Sequence, residues 1–218
     1  MNLPNIKLCL ITDRKQLLST LLNHQLFDLD TTLSQLLNFC QTAAQAGIDI
    51  IQVREKDIPA DKLSNFVAKL TKETKNTNAK VLVNDRLDIA LSYEADGIHL
   101  PSNSFPINKV RKLVGKKFII SVAVHSIKEA QLAAKAGADY VLFSPIFDTP
   151  SKTIYGPALG LAALEQAVKS VKCPIIALGG INQSNAKEVL DSKVAGLAAI
   201  RLFLETSDLP KLVNELKR

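Results

Sequence analysis

The chain has 218 residues, 47% of them hydrophobic and 5% aromatic, with 27 Lys and Arg against 21 Asp and Glu and a formal charge of +6. A length in this range supports one packed core rather than two. With no Trp and few aromatics, neither a base-stacking surface nor a nucleic-acid partner is expected; Lys62, Lys69, Lys72, Lys75 and Lys80 read as a solvated face.

Short β-branched runs alternate with longer amphipathic stretches from end to end. The strands are predicted at Ile6–Ile11, Ile48–Val53, Lys80–Val83, Gly97–Leu100, Phe118–Val124, Asp139–Phe143, Pro174–Leu178 and Gly196–Ile200. Helices are predicted between and after them at Thr32–Ala46, Pro59–Thr74, Arg86–Tyr93, Ile107–Val114, Ile127–Ala136, Leu159–Ser170, Gln183–Leu190 and Leu209–Leu216. Apolar strands separated by helices imply parallel neighbours joined by crossovers. An echo runs through the helix-to-strand turns, in Ala46-Gly47-Ile48-Asp49, Ala95-Asp96-Gly97, Ala136-Gly137-Ala138-Asp139 and, more loosely, Val194-Ala195-Gly196. Eight units at about 27 residues each fit a compact, single-domain α/β fold, the (β/α)8 TIM barrel, over residues 1–218. The first strand-helix connection lacks GxGxxG, which disfavours an open dinucleotide-binding sheet.

Other classes fall away. Cys9, Cys40 and Cys173 are odd in number and form no CxxC pair, so neither a disulfide framework nor a thiolate metal site is indicated and a reducing, cytoplasmic location is expected. No apolar stretch approaches the ~20 residues that span a bilayer, so no membrane partner is expected.

In this architecture chemistry sits at the C-terminal strand ends. After the first strand come Thr12, Asp13 and Arg14; after the second comes Gln52-Val53-Arg54-Glu55-Lys56. Alternation along an extended chain sends Gln52, Arg54 and Lys56 to one side, a combination suited to phosphate or pyrophosphate. An ion-paired loop using Glu55 and Asp57 is the plainer reading of the same string. Asn84 and Asp85 follow the third strand; Asp85 offers a hard oxygen ligand or, viewed alone, a helix cap. His99 lies within its apolar run and reads as a core histidine. His125 follows the fifth strand, where an imidazole suits proton transfer near neutrality. His24 lies in a polar segment, Lys15 to Asp30, read as irregular and given no role. The long loop from Ser144 to Pro157, with Thr149, Ser151 and Lys152, looks like a substrate-closing segment. Gly179 and Gly180 after the seventh strand and Arg201 after the eighth occupy positions that commonly bind a phosphate in such barrels.

The strings Gln52-Val53-Arg54-Glu55-Lys56, Asn84-Asp85-Arg86-Leu87-Asp88-Ile89-Ala90, Ala95-Asp96-Gly97-Ile98-His99-Leu100, Asp139-Tyr140-Val141 with Pro145-Ile146-Phe147, and Gly179-Gly180-Ile181 resemble, in this order, the thiamine-phosphate synthase and TenI family. The resemblance implies an enzyme of thiamine biosynthesis acting on a small phosphorylated thiazole. Two activities occur in the family. The synthase couples hydroxymethylpyrimidine pyrophosphate to thiazole phosphate, releases pyrophosphate and requires Mg²⁺. The TenI-type tautomerase isomerises a carboxythiazole phosphate to its aromatic form without a metal.

By this resemblance Gln52, Arg54, Lys56 and Asn84 match synthase contacts to pyrophosphate or pyrimidine, Asp85 matches one Mg²⁺ carboxylate, and Thr149, Ser151 and Lys152 match the closing loop. Gly179, Gly180 and Arg201 match the thiazole-phosphate end, where Arg201 stands in place of the family's usual small residue and either holds the phosphate directly or crowds the pocket. Synthases usually continue after His99-Leu100 with Gly-Gln-x-Asp, whereas this chain has Pro101-Ser102-Asn103-Ser104-Phe105, so Ser104 replaces the second metal carboxylate. That string looks like TenI, in which the match to His125 is the acid/base group. The expectation is therefore a TenI-like tautomerase with catalytic His125 and no cofactor. The alternatives are a synthase using Mg²⁺ at Asp85 and a non-catalytic thiazole-phosphate sensor. Family members are often homodimers, but no stripe in this sequence identifies an interface.

Overall fold

The computed structural model describes residues 7–21, 28–149 and 157–217. Among these, eight parallel strands close a barrel in chain order: β1 (Leu8–Ile11), β2 (Ile50–Val53), β3 (Lys80–Asn84), β4 (Gly97–Leu100), β5 (Ile119–Val124), β6 (Tyr140–Phe143), β7 (Ile175–Leu178) and β8 (Gly196–Ala199). The ring closes where Leu8 and Cys9 pair with Leu197 and Ala198. The surrounding helices are α1 (Arg14–Leu21), α2 (Leu29–Ala46), α3 (Ala60–Thr74), α4 (Leu87–Ser92), α5 (Ile107–Val114), α6 (Ile127–Ala136), α7 (Gly160–Ser170), α8 (Ala186–Asp191), α9 (Arg201–Leu204) and α10 (Leu209–Lys217). The chain is thus a single-domain α/β TIM barrel, and no described helix is long and apolar enough to cross a membrane.

Strand parity divides the core into two layers. Cys9, Ile11, Ile50, Leu82, Ile119, Tyr140, Leu142, Ile176 and Ala198 fill the barrel interior. Their immediate neighbours, such as Leu10, Ile51, Val83, Ile120, Val141 and Ala177, pack outward against the helices. Both layers are apolar, which is why the strands read as continuous hydrophobic runs. Following the inward parity upward from this packed interior reaches Gln52, Asn84, His99 and Ala123, so the mouth side chains are fixed by register.

The echo noted in the helix-to-strand turns has a physical basis at the opposite end. The Asp49 carboxylate accepts from the backbone N–H of Leu8, at 2.9 Å, Asp96 from Val81, at 2.9 Å, and Asp139 from Ile120, at 2.7 Å. Each carboxylate also meets a cation: Lys217 for Asp49, Lys80 for Asp96 and Arg111 for Asp139. An aspartate just before each of β2, β4 and β6 therefore staples the start of the preceding strand. The fourth copy keeps only its backbone bond, from Ala195 N–H to Ile175 O at 2.9 Å, because alanine carries no carboxylate.

The Lys15 to Asp30 segment departs from its reading as irregular chain. It begins with α1, whose first turn is capped by Asp13: the Gln16 N–H donates to Asp13 Oδ1 at 3.0 Å. Leu17 anchors the helix, at 1% exposure. An eight-residue helix with one deeply buried leucine among its described side chains has too little apolar periodicity to show in the sequence. His24 lies outside the described residues.

Candidate active site

One cavity of about 350 Å³ opens at the C-terminal strand ends. It brings together Gln52, Arg54, Lys56, Asn84, His125, Thr149, Gly179, Gly180 and Arg201, residues that lie as far apart as 149 positions in the chain. Its apolar floor includes Ile11, Leu142 and Leu178. Asp85 is exposed beside the cavity and does not line it, and Ser151 and Lys152 lie outside the described residues.

At the floor, Gln52 is 1% exposed and Asn84 9%, and Gln52 Nε2 approaches Asn84 Oδ1 at 3.4 Å. Gln52 Oε1 is buried with no hydrogen-bond partner. A buried acceptor without a donor is costly, so this oxygen suits a ligand that supplies an N–H. Beside it, His99 is both a core residue and a cavity wall. It is 5% exposed, its Nδ1 lies 2.7 Å from Ser121 Oγ, and its inward parity on β4 carries the ring to the mouth. Parity was the available signal for His99, whose position within an apolar run suggested the core alone.

The loop after β2 alternates as its sequence pattern suggests, with one set of side chains at the cavity and the other in ion pairs. Arg54 and Lys56 line the cavity, while Glu55 and Asp57 are ion-paired with Arg14. The Arg14 side chain donates to Glu55 Oε2 at 3.0 Å and to both carboxylate oxygens of Asp57. Burial pushes the Glu55 carboxyl above its ordinary value, opposed by its bonds to Arg14 and Thr12. Arg14 and Lys15 hold Asp57 well below the usual carboxylate range.

Asp85 does not cap α4. Its backbone is left-handed, with φ 61°, and its carboxylate accepts from the Ser104 hydroxyl instead. The N-cap of α4 is Arg86, which makes no side-chain cap bond. Asp tolerates this conformation better than most residues, at a cost of order 1 kcal/mol. Among the described residues no group of three His, Cys, Asp or Glu side chains could hold a metal ion. The donors present, one carboxylate and one hydroxyl, fit a Mg²⁺ that keeps waters and brings phosphate oxygens from its ligand.

His125 follows β5 with its Nδ1 2.7 Å from the Ser144 carbonyl oxygen, so Nδ1 carries the proton in the neutral ring and Nε2 is the basic nitrogen. Across the mouth, the turn at Gly179 and Gly180 has φ 105° and 66°. It is pressed onto the loop after β6: the Phe147 N–H donates to Gly179 O at 3.0 Å. A Cβ at Gly179 would lie 2.8 Å from Pro145 Cα, and one at Gly180 2.6 Å from Phe147 Cβ. Exposed Arg201 completes this side. Asp13, Gln16, Pro101 and Ser102 also line the cavity. Asp13 stands at the end of the first strand, as its position in the sequence suggests; Gln16 depends on α1, and Pro101 and Ser102 on the bend after β4, which the sequence pattern does not specify.

A family model described as thiamine monophosphate synthase matches residues 27–203. A thiamine-phosphate synthase of Clostridium novyi (strain NT) is 37% identical over 205 residues, covering 94% of each chain. One from Clostridium botulinum (strain 657 / Type Ba4) is 34% identical over 212 residues, covering 97% of each. Thiamine phosphate pyrophosphorylase from Pyrococcus furiosus superposes with a TM-score of 0.81 at 32% identity, covering 98% of this chain and 94% of that one. With the family model spanning most of the barrel and relatives of this closeness covering nearly all of it, the chain belongs to the thiamine monophosphate synthase and TenI family.

Proposed function

We propose that the protein is a thiamine-phosphate synthase, joining hydroxymethylpyrimidine pyrophosphate to thiazole phosphate and releasing pyrophosphate. This departs from the tautomerase expectation, because the relatives that cover almost the whole chain are named thiamine-phosphate synthase. The geometric observation that carries the reading is one cavity with cationic groups on two walls: Arg54 and Lys56 after β2, and Arg201 beside Gly179 and Gly180 after β7 and β8. A tautomerase substrate brings one phosphate and one carboxylate; a coupling reaction needs room and charge for a pyrophosphate and a phosphate together, which the two cationic walls suit.

In this reading the thiazole nitrogen forms a C–N bond to the pyrimidine methylene as its C–O bond to pyrophosphate breaks, and pyrophosphate leaves with the bonding electrons. Arg54 and Lys56 bind the departing anion, as a guanidinium fork and a point charge. Gln52 and Asn84 orient the pyrimidine, with Gln52 Oε1 accepting from its amino group. Gly179 and Gly180 bring backbone close to the thiazole phosphate, and Arg201 neutralises it. Thr149 borders the substrates on the β6 side; Ser151 and Lys152, next in sequence, lie outside the described residues. Asp85 and Ser104 would hold a Mg²⁺, which would supply further charge neutralisation for the leaving group. Mixing the two substrates with Mg²⁺ and measuring released pyrophosphate tests the proposal, and no release at any Mg²⁺ concentration refutes it.

A second reading, the TenI-type tautomerase, is favoured by Ser104 on Asp85 and by the tautomer that the Ser144 carbonyl sets at His125. In it, His125 Nε2 moves the ring proton. Aromatisation of the carboxythiazole phosphate that His125→Ala abolishes would support it. Thiazole phosphate binding without turnover in either assay would point to a sensor.

A further inference from the structure

The loop between β2 and α3 carries charges of both signs on alternating residues, yet the two signs face different partners. Among the described residues no ion pair joins Arg54 or Lys56 to a carboxylate, although Glu55 and Asp57 are their immediate neighbours. The carboxylates are engaged from the other side: Glu55 by the backbone N–H and guanidinium of Arg14, at 3.1 and 3.0 Å, and Asp57 by Arg14 and Lys15. Thr12, which is fully buried, joins the two sets. Its Oγ1 accepts the backbone N–H of Arg54 at 2.9 Å, and its hydroxyl favours the charged form of the Glu55 carboxyl.

We infer that Thr12, Arg14, Glu55 and Asp57 form a clamp that positions Arg54 and Lys56 and keeps the neighbouring carboxylates from quenching them. This rests on the reading that these two cations bind pyrophosphate. The clamp residues are positioning residues, since Thr12, Glu55 and Asp57 do not line the cavity. Without the clamp, Glu55 and Asp57 would be free to fold back onto the cations with which they alternate, and an incoming anion would have to displace them. Fixing the Arg54 amide also fixes where its side chain leaves the backbone, so the guanidinium meets the anion with a smaller ordering cost.

The test is titration calorimetry of the full chain with inorganic pyrophosphate. Thr12→Val keeps the shape but removes the hydroxyl, and should weaken binding about fivefold or more. Thr12→Ser restores the hydroxyl and should bind within about twofold of wild type. In an Arg54→Ala background, Thr12→Val should cost less than about twofold, because the guanidinium on the amide that Thr12 holds is gone. Unchanged affinity in Thr12→Val, or an equal loss in both backgrounds, overturns the clamp while leaving the anion site intact. Wild-type protein that does not bind pyrophosphate overturns the anion site and the clamp with it. If Thr12→Val fails to fold, Glu55→Gln in the same two backgrounds reads the same coupling, with the same outcomes deciding.

Discussion

Replacing Gly180 by alanine probes the turn after β7 with a magnitude the structure supplies. The residue sits at φ 66°, where an L-side chain costs about 1–2 kcal/mol. Its new methyl would lie 2.6 Å from Phe147 Cβ and 2.9 Å from Asp148 O, contacts relieved only by moving the loop after β6. Overpacking of this kind costs about 1–3 kcal/mol, giving about 2–5 kcal/mol in total. For a chain of this size that is a fall in Tm of about 4–20 °C. Gly47, the α2 cap at φ 102°, is the control. Its added methyl would meet only Val213 at 3.6 Å and Lys217 at 3.9 Å, so Gly47→Ala carries the backbone cost alone, about 1–2 kcal/mol. Thermal melts of both variants, with phosphate titrated into each, are the assay. Gly180→Ala should melt lower than Gly47→Ala and bind phosphate more weakly than wild type, while Gly47→Ala should bind normally. Equal melting temperatures with unaltered phosphate binding would refute the claim that backbone contact between the two loops shapes this wall.

Three further outcomes follow from the geometry. Arg54→Ala or Lys56→Ala should each weaken pyrophosphate binding roughly 10- to 100-fold, the value of about 1.5–3 kcal/mol for a charge-assisted bond, as read by calorimetry. Gly97→Ala should be among the most destabilising substitutions in the barrel, about 3 kcal/mol in urea unfolding, because the new Cβ would lie 2.3 Å from Ile119 O at an interior position. Glu55→Gln should change the pH dependence of stability. The folded carboxyl holds its proton more tightly than the unfolded one, so its contribution is full below the ordinary value of 4.5 and is lost as pH rises through the raised value. The Tm of wild type minus that of Glu55→Gln should therefore fall as pH increases from 4.5, and a constant or rising difference would contradict the role of burial.

Strand positions were legible because both strand faces are apolar, so β4 is read without error and β2 or β8 only one or two residues too long. Turn glycines such as Gly47 and Gly137 marked where helices stop. The cavity was legible for the same reason: residues just beyond an apolar run share one rim, which places Gln52, Asn84, His125 and Arg201 together without knowledge of any distance. What escaped depends on backbone conformations that composition does not encode. Asp85 looked like a cap, but its left-handed φ turns it to Ser104. The helix α1 depends on one buried leucine and an aspartate cap, and α9 is four residues long, below the length at which periodicity can show. Arg14 was visible only as a strand-end charge; its partnership with Glu55 and Asp57 joins elements 41 residues or more apart.

The aspartate staples have a consequence for how the barrel breathes. Three of its four two-strand quarters are laced at the base by a carboxylate with a cation on it, and the last quarter, β7 with β8, is laced by main chain alone. Slow opening of the wall should begin at that seam, so amide protons of Ile175 and Ile176 should exchange sooner than those of Leu8, Val81 or Ile120. The same two strands carry Gly179, Gly180 and Arg201 at their upper ends. With the phosphate site placed as proposed, the seam with the fewest lacings at its base is also the one whose upper rim would admit and release the ligand, while the three laced quarters hold the rest of the wall still.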